Sequence, residues 1–383
     1  MKVLVPDRSC VAGGAEKLCA SLFPELSALG VEVLWAAPEH RLGDLTQMGA
    51  AAKGARLLPV EWPKGNWRRA LSALSRRLRR IRLAGRVFDR LHSARVRQLR
   101  REIRADHLLV PWILGEPLPE REKEASITAI VLDRNWTKFP ENFSQSPDEL
   151  DALLEAWMRR ADRVIAISQD VAGDLTQRWP ALAGKVRAIP LAASVRLEEE
   201  RWQAAERQRP KEPVFYYPAT VSPHKGHDTL LAAAERLEKR GHAFRLLLSG
   251  HGTDRLSAAP DVLGLGYASA QSVEETYLQA TAVVLPSRYE GFGLPLAEAL
   301  AHGTPVICSD LPVYREQIER LGAQEFVRVA PVGDEGAFAE AMESALRQGP
   351  PSWERRVAIA SAAARWTWRD VALAYRNLLC KAQ

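Results

Sequence analysis

Two glutamates eight residues apart frame a glycine loop in Pro286-Ser-Arg-Tyr-Glu290-Gly-Phe-Gly-Leu-Pro-Leu-Ala-Glu298-Ala-Leu-Ala-His-Gly303. A carboxylate accepts hydrogen bonds from hydroxyl groups, and the free N–H groups at a helix start favour an anion. The apolar run Ala282 to Leu285 reads as a buried strand that Pro286 ends. A helix opens at Pro295, a residue suited to the first turn, and Gly303 stands where a helix C′ glycine belongs. Glu290 then lies in the loop and Glu298 about one turn into the helix. Backbone N–H groups of Gly291, Phe292, Gly293 and Leu294 point at whatever binds between them. A phosphate at the loop, with a carboxylate on each side for sugar hydroxyls, uses every part of this arrangement. The plainer alternative is a surface loop before an ordinary helix, with both acids solvated.

A second segment has the same build. Val214-Phe-Tyr-Tyr217 reads as a strand, Pro218 to Ser222 as a loop, and Pro223-His-Lys225-Gly-His-Asp as the entry to a helix that stops near Gly241. Lys225 adds a point charge to that helix start, which suits a diphosphate; the alternative is a solvated lysine.

Glu290-x7-Glu298 with its Gly-Phe-Gly-Leu-Pro interior resembles the signature of retaining GT-B glycosyltransferases of the family 4 type. The resemblance implies that Glu290 contacts donor-sugar hydroxyls, that Phe292 to Leu294 offer N–H groups to sugar and phosphate, and that Glu298 binds the ribose. Arg288 falls in the same donor loop. Lys225 matches the lysine of the family's Arg-x4-Lys motif, while Thr220 occupies the arginine position. Arg288, Arg134 and His224 are the candidates to supply the missing charge. Phe244 to Gly252 and Val262 to Tyr267 are further strand-and-turn segments. Gly250 and Tyr267 match places where family members hold the nucleotide base, largely through backbone contacts. Near the N-terminus, Gly13-Gly14-Ala-Glu16 resembles the family's Gly-Gly-x-Glu loop and lacks the order of a dinucleotide fingerprint. The family's His-Asp pair is Leu132-Asp133 in this chain, so Asp133 is either a group near the reacting sugar or a strand-end cap.

Strands alternate with helices along all 383 residues, and 46% hydrophobic content supports ordinary globular cores. This order implies α/β parallel sheets. The resemblance implies the GT-B fold: two Rossmann-like doubly wound domains facing a cleft, with a C-terminal helix crossing back to the N-terminal domain. The expected boundaries are 1–205 for the acceptor-side domain, 206–365 for the nucleotide-sugar domain and 366–383 for the final helix. The charged stretch Arg196 to Glu212 is the expected linker.

The four cysteines have no metal-like spacing and no Asp-x-Asp is present, so no metal or other cofactor is expected. The opening apolar run is too short for a signal peptide, and no run is long enough to cross a bilayer. Free thiols fit a reducing cytoplasm. Charge is uneven. Lys64 to Arg104 holds fifteen Lys/Arg against Asp89 and Glu102, a local +13 in a chain of net +6. Trp67, Leu71, Leu74, Leu78 and Ile81 recur there at helical spacing, with Arg76, Arg77, Arg79 and Arg80 among the intervening charges. The tract is either a solvated face or a surface for anionic lipid or an anionic acceptor. No nucleic-acid reader motif accompanies it.

The expected activity is transfer of a sugar, with retention, from a nucleotide-diphosphate sugar to a glycan or glycolipid acceptor in bacterial cell-surface polysaccharide synthesis. The expected location is cytoplasmic, peripheral on the inner face of the membrane. Two alternatives belong to other classes: a GT-B sugar-nucleotide epimerase, which changes the donor without an acceptor, and a catalytically weak nucleotide-sugar-binding protein.

Overall fold

The computed structural model describes residues 1–6, 14–38, 54–60, 98–99, 101–111, 126–194, 197–256 and 261–380. The chain forms two compact units. The first comprises Met1–Trp136, Phe143–Pro190 and Trp368–Gln383, and the second Thr137–Asn142 and Leu191–Thr367.

In the first unit the described strands are β1 (Lys2–Pro6), β2 (Glu32–Pro38), β3 (Ala55–Val60), β4 (His107–Val110), β5 (Ser126–Val131), β6 (Arg163–Ala166) and β7 (Val186–Ala188). They pair in parallel in the order β3-β2-β1-β4-β5-β6-β7. Strand β4 buries all four of its side chains, three of them apolar, without alternation, because helices cover both faces of a parallel sheet. Helix α1 (Gly14–Ala28) buries Leu18, Leu22 and Leu26 and continues through Pro24. Helix α2 (Pro147–Arg160) starts at a reciprocal cap. The Ser146 hydroxyl accepts from the Glu149 N–H at 3.3 Å, and the Glu149 carboxylate accepts from the Ser146 N–H at 3.2 Å. Such a cap contributes about 1 kcal/mol. Trp157 and Met158 of α2 are fully buried in the core, and α3 (Gln169–Arg178) follows β6.

The second unit has β8 (Val214–Pro218), β9 (Arg245–Ser249), β10 (Val262–Gly264), β11 (Ala282–Leu285), β12 (Val306–Ser309) and β13 (Val327–Ala330). Their order is β10-β9-β8-β11-β12-β13, again parallel. Its helices are α4 (Glu199–Arg207), α5 (His227–Lys239), α6 (Ala270–Gln279), α7 (Leu294–Ala301), α8 (Pro312–Leu321), α9 (Glu335–Gln348) and α10 (Trp353–Ala363). The last helix, α11 (Trp368–Cys380), belongs to the first unit and packs on α1. The expected return of the C-terminal helix to the N-terminal unit is therefore present. Both sheets reverse direction of growth beside one strand. In the second unit this switch lies between β8 and β11, and in a doubly wound sheet the loops leaving two such strands open a crevice.

Three details differ from the sequence expectation. The chain passes to the second unit at Pro190–Leu191, ahead of residue 205. The charged stretch expected as a linker contains α4, whose Trp202 stacks on Trp353 at 5.3 Å and which packs on α6. A short excursion, Thr137–Asn142, joins the second unit from within the first unit's sequence. No helix among the described residues is long and apolar enough to cross a membrane.

Candidate donor-binding site

Lys225 and Glu290 meet because they sit on the two loops leaving the switch-point strands. Phe215 and Tyr216 of β8 register against Ala282 and Val283 of β11, so the segments that follow emerge side by side. Several bonds then fasten them. The Arg288 N–H donates to the His224 carbonyl at 2.7 Å, and the Tyr217 hydroxyl donates to the Lys225 carbonyl at 2.7 Å. Gly226 has φ +66°, and a Cβ there would lie 2.2 Å from the Pro286 carbonyl oxygen. Only glycine allows this approach at that backbone conformation. Lys225 is therefore not part of the helix. It ends a 3-10 turn, Pro223–Lys225, and Gly226 separates it from α5. The expected addition of its charge to the first turn of α5 gives way to a lysine aimed across the crevice.

The lysine ammonium lies 2.7 Å from Glu290 Oε1. The hydroxyl of Ser287, wholly buried, donates to the same oxygen at 2.8 Å. Tyr217 OH lies 3.1 Å from Ser287 Oγ, and burial together with the Glu290 charge pushes the Tyr217 phenol well above its ordinary range. Glu290 thus has one oxygen fixed by a cation and a hydroxyl.

Glu298 lies in the second turn of α7, half-buried. The hydroxyl of Tyr277 donates to its Oε2 at 3.0 Å. Tyr277 is fully enclosed, its ring stacked on His302 at 4.8 Å and edge-on to Tyr216 at 5.2 Å. Burial and then the Glu298 charge raise its phenol well above the ordinary value, so it stays a donor. The N-terminus of α7 follows Gly293, which has φ +81° and lies so close to Tyr314 that a Cβ would stand 2.4 Å from that ring. Gly291, Phe292 and Gly293 are buried and Leu294 is half-buried.

The turn after β9 closes onto the loop after β8. A Cβ at Gly250 would fall 2.6 Å from the Ala219 carbonyl, and the Val221 N–H donates to the His251 carbonyl at 3.0 Å. Gly250 N–H donates to the Gly266 carbonyl at 2.7 Å, and the buried Thr253 hydroxyl links the same two glycines. Tyr267 follows, 87% exposed, and Thr220 is exposed on the neighbouring loop.

Candidates for the charge missing at Thr220 separate clearly. Arg134 is in the first unit, buried, with its guanidinium on Asp151 at 2.6 Å and Asp174 at 2.9 Å; it is a core ion cluster. His224 is wedged against Phe139, with its Nδ1 2.9 Å from Ser222 Oγ, and burial followed by the Lys225 charge lowers its pKa to about 4. It is neutral. Arg288 alone of the three is a cation on the donor loops, and its guanidinium pairs with Asp228 at 2.5 Å.

Asp133 lies in the first unit, where its Oδ1 accepts the Asn135 N–H at 2.9 Å, the geometry of a strand-end cap. Gly14 opens α1. Gly13, Arg76, Arg77, Arg79 and Arg80 lie outside the described residues. Ser287, Tyr217, Tyr277 and the excursion residue Phe139 were not singled out by the sequence. Of these, only the Ser287 hydroxyl beside an apolar strand end carried any local signal.

The fold and the site define a two-unit α/β protein of GT-B type. Residues 198–366, within the second unit, match the model of the family described as glycosyl transferases group 1. Among relatives, the serotype-specific mannosyltransferase WbdA of Escherichia coli is 28% identical over 239 residues, which take in 56% of this chain and 27% of that protein. The chain thus spans about a quarter of the length of that relative. Two solved structures share the whole fold. Sucrose-phosphate synthase from Thermosynechococcus elongatus aligns with a TM-score of 0.71 at 19% identity, over 100% of both chains. Anabaena Alr3699/HepE in complex with UDP-glucose aligns with a TM-score of 0.70 at 18% identity, also over 100% of both.

Proposed function

We propose that this chain is a retaining glycosyltransferase of the family 4 type, moving a sugar from a nucleotide-diphosphate sugar to a glycan or glycolipid acceptor. The observation that carries this reading is the Lys225–Glu290 pair at 2.7 Å, set beside the start of α7 with Glu298 held in its second turn. The structural neighbour solved with UDP-glucose supports a nucleotide-sugar donor, and the mannosyltransferase relative supports transfer of a sugar.

In this reading Glu298 accepts from the ribose hydroxyls and Glu290 from those of the sugar. The N–H groups at Gly293 and Leu294 receive the diphosphate. As the bond from sugar to phosphate breaks, negative charge grows on the leaving diphosphate. Lys225 and the α7 N-terminus stabilise that charge more than they stabilise the bound donor, which is what lowers the barrier. The acceptor hydroxyl attacks on the face from which diphosphate departs, and its proton passes to a phosphate oxygen. No metal takes part, because a lysine and a helix start already neutralise the phosphate. The acceptor is anionic or membrane-borne, met by the basic tract that includes Arg76, Arg77, Arg79 and Arg80. The enzyme works at the inner face of the membrane, in building a surface polysaccharide.

The test is a thermal-shift screen against UDP-, GDP- and dTDP-sugars, followed by turnover with the stabilising donor. Expected are a rise in Tm with one donor class and an α-linked product from an α-linked donor. An inverted product rejects retention. A donor altered without any acceptor points to an epimerase instead.

A further inference from the structure

Helix α8 carries two residues that face the donor loop one helical turn apart. Tyr314, 1% exposed, lies under Gly293. Gln317, 2% exposed, donates from its Nε2 to the carbonyl oxygen of Phe292. The other end of that amide, Oε1, is buried with no hydrogen-bond partner among the described residues. A buried amide satisfied at one end only costs stability, and a methionine of similar size would not incur that cost. Flipping the amide gives no relief, since it would set oxygen against oxygen.

The bond that Gln317 does make has a directional consequence. The Phe292–Gly293 peptide is trans, so its N–H points opposite to its C=O. With the carbonyl drawn back to α8, the Gly293 N–H is turned away from that helix, at the start of α7. Gly293 N–H makes no hydrogen bond to the described protein. Phe292, Gln317, Ala297, Leu321 and Trp366 line a small cavity behind the loop.

We infer that Gln317 is a positioning residue: it anchors the Phe292 carbonyl so that the Gly293 N–H is presented to the donor's phosphate. This rests on the nucleotide-sugar reading above. The helix position of Gln317 lies outside every motif that the sequence offers for donor binding.

The test compares wild type with Gln317→Met, which keeps the length, removes the donor and also removes the orphan oxygen. A residue held only for stability would lower Tm and activity together. The positioning role predicts a Tm equal to or above wild type with kcat at least about tenfold lower, short of the about 10²–10³ that outright removal of one preorganised donor costs. Gln317→Glu is the second variant. Its protonated acid donates to the Phe292 carbonyl and its carboxylate does not, so its kcat relative to wild type rises as pH falls from about 8 to about 6, which the Met variant does not show. Amide exchange over residues 291–294, read by mass spectrometry, needs no turnover and is expected to be faster in Gln317→Met. Wild-type kcat in the Met variant, or unchanged exchange, overturns the inference. Absence of transfer by wild type itself sinks the proposed function, and the exchange result then still decides the role of Gln317.

Discussion

Lys225 and Glu290 are 65 residues apart in the chain, yet the ammonium nitrogen lies 2.7 Å from a carboxylate oxygen that Ser287 also holds. The pair is partly enclosed, with side-chain exposures of 21% and 11%. It holds a cation beside the α7 helix start with its aim set in advance. Arranging such groups beforehand removes the reorganisation that water would need at the moment of reaction.

Removing the cation separates binding from chemistry. Lys225→Ala is expected to reduce kcat by about 10²–10³, the usual loss of one preorganised donor to a developing anion, with a smaller change in donor affinity. Glu290→Gln keeps the Ser287 hydrogen bond and frees the lysine, so its loss appears mainly as weaker hold on the sugar. Steady-state kinetics with the donor found by the screen checks this. A Lys225→Ala enzyme with wild-type kcat removes the lysine from the mechanism.

Glu298 and Tyr277 are expected to act as one unit. A carboxylate hydrogen-bonded to ribose contributes about 1.5–3 kcal/mol, so Glu298→Ala weakens nucleotide binding correspondingly. Tyr277→Phe keeps the ring stacked on His302 and loses only the bond to Glu298, costing about 1 kcal/mol, or roughly fivefold in Kd. In the double variant the tyrosine has nothing left to orient. Calorimetric titration is expected to show it no worse than Glu298→Ala alone, and strictly additive losses would contradict the coupling.

Local chemistry made the loops legible and tertiary packing hid their supports. The strand ends, Gly303 as a left-handed stop and the helix start near Pro295 are written in turn and cap residues, and they stand where expected. A lysine followed by glycine does not reveal whether a helix includes it. Here the close approach of Pro286 to Gly226 decided that, and it comes from another strand. Arg134 looked like a site cation beside Asp133, but Asp151 and Asp174, seventeen and forty residues on, claim it. Gln317 lies outside every motif in the sequence, and its burial comes from the packing of α8. The stretch around α4 was read by its charge. Glu199 and Glu200 at one end and Arg207 at the other complement a helix dipole, and this pattern was present all along.

Activity is expected without a divalent cation. The sequence has no Asp-x-Asp, and in the proposed reading Lys225 and the α7 start neutralise the leaving diphosphate without a metal. After exhaustive chelation, kcat is expected within about twofold of its starting value, under about 0.5 kcal/mol of barrier. Complete loss restored by Mg²⁺ or Mn²⁺ would show the leaving-group account to be wrong.

Acid stability reads out the buried histidines. His227 is 5% exposed, its ring tilted against Tyr217 at 4.8 Å, and burial lowers its pKa to about 4, with Lys225 adding to the shift and the Ala219 backbone and Asp228 opposing it. In the unfolded chain a histidine takes a proton near pH 6.5. Between about 6.5 and 4 the unfolded state therefore binds more protons, and stability falls as pH falls through that window. His227→Phe keeps a ring against Tyr217 and cannot be protonated. Its urea midpoint is expected to decline less than that of wild type from pH 7 to pH 4.5, with the share due to His224 remaining. Equal declines in the two proteins would mean that His227 is not held neutral by the fold.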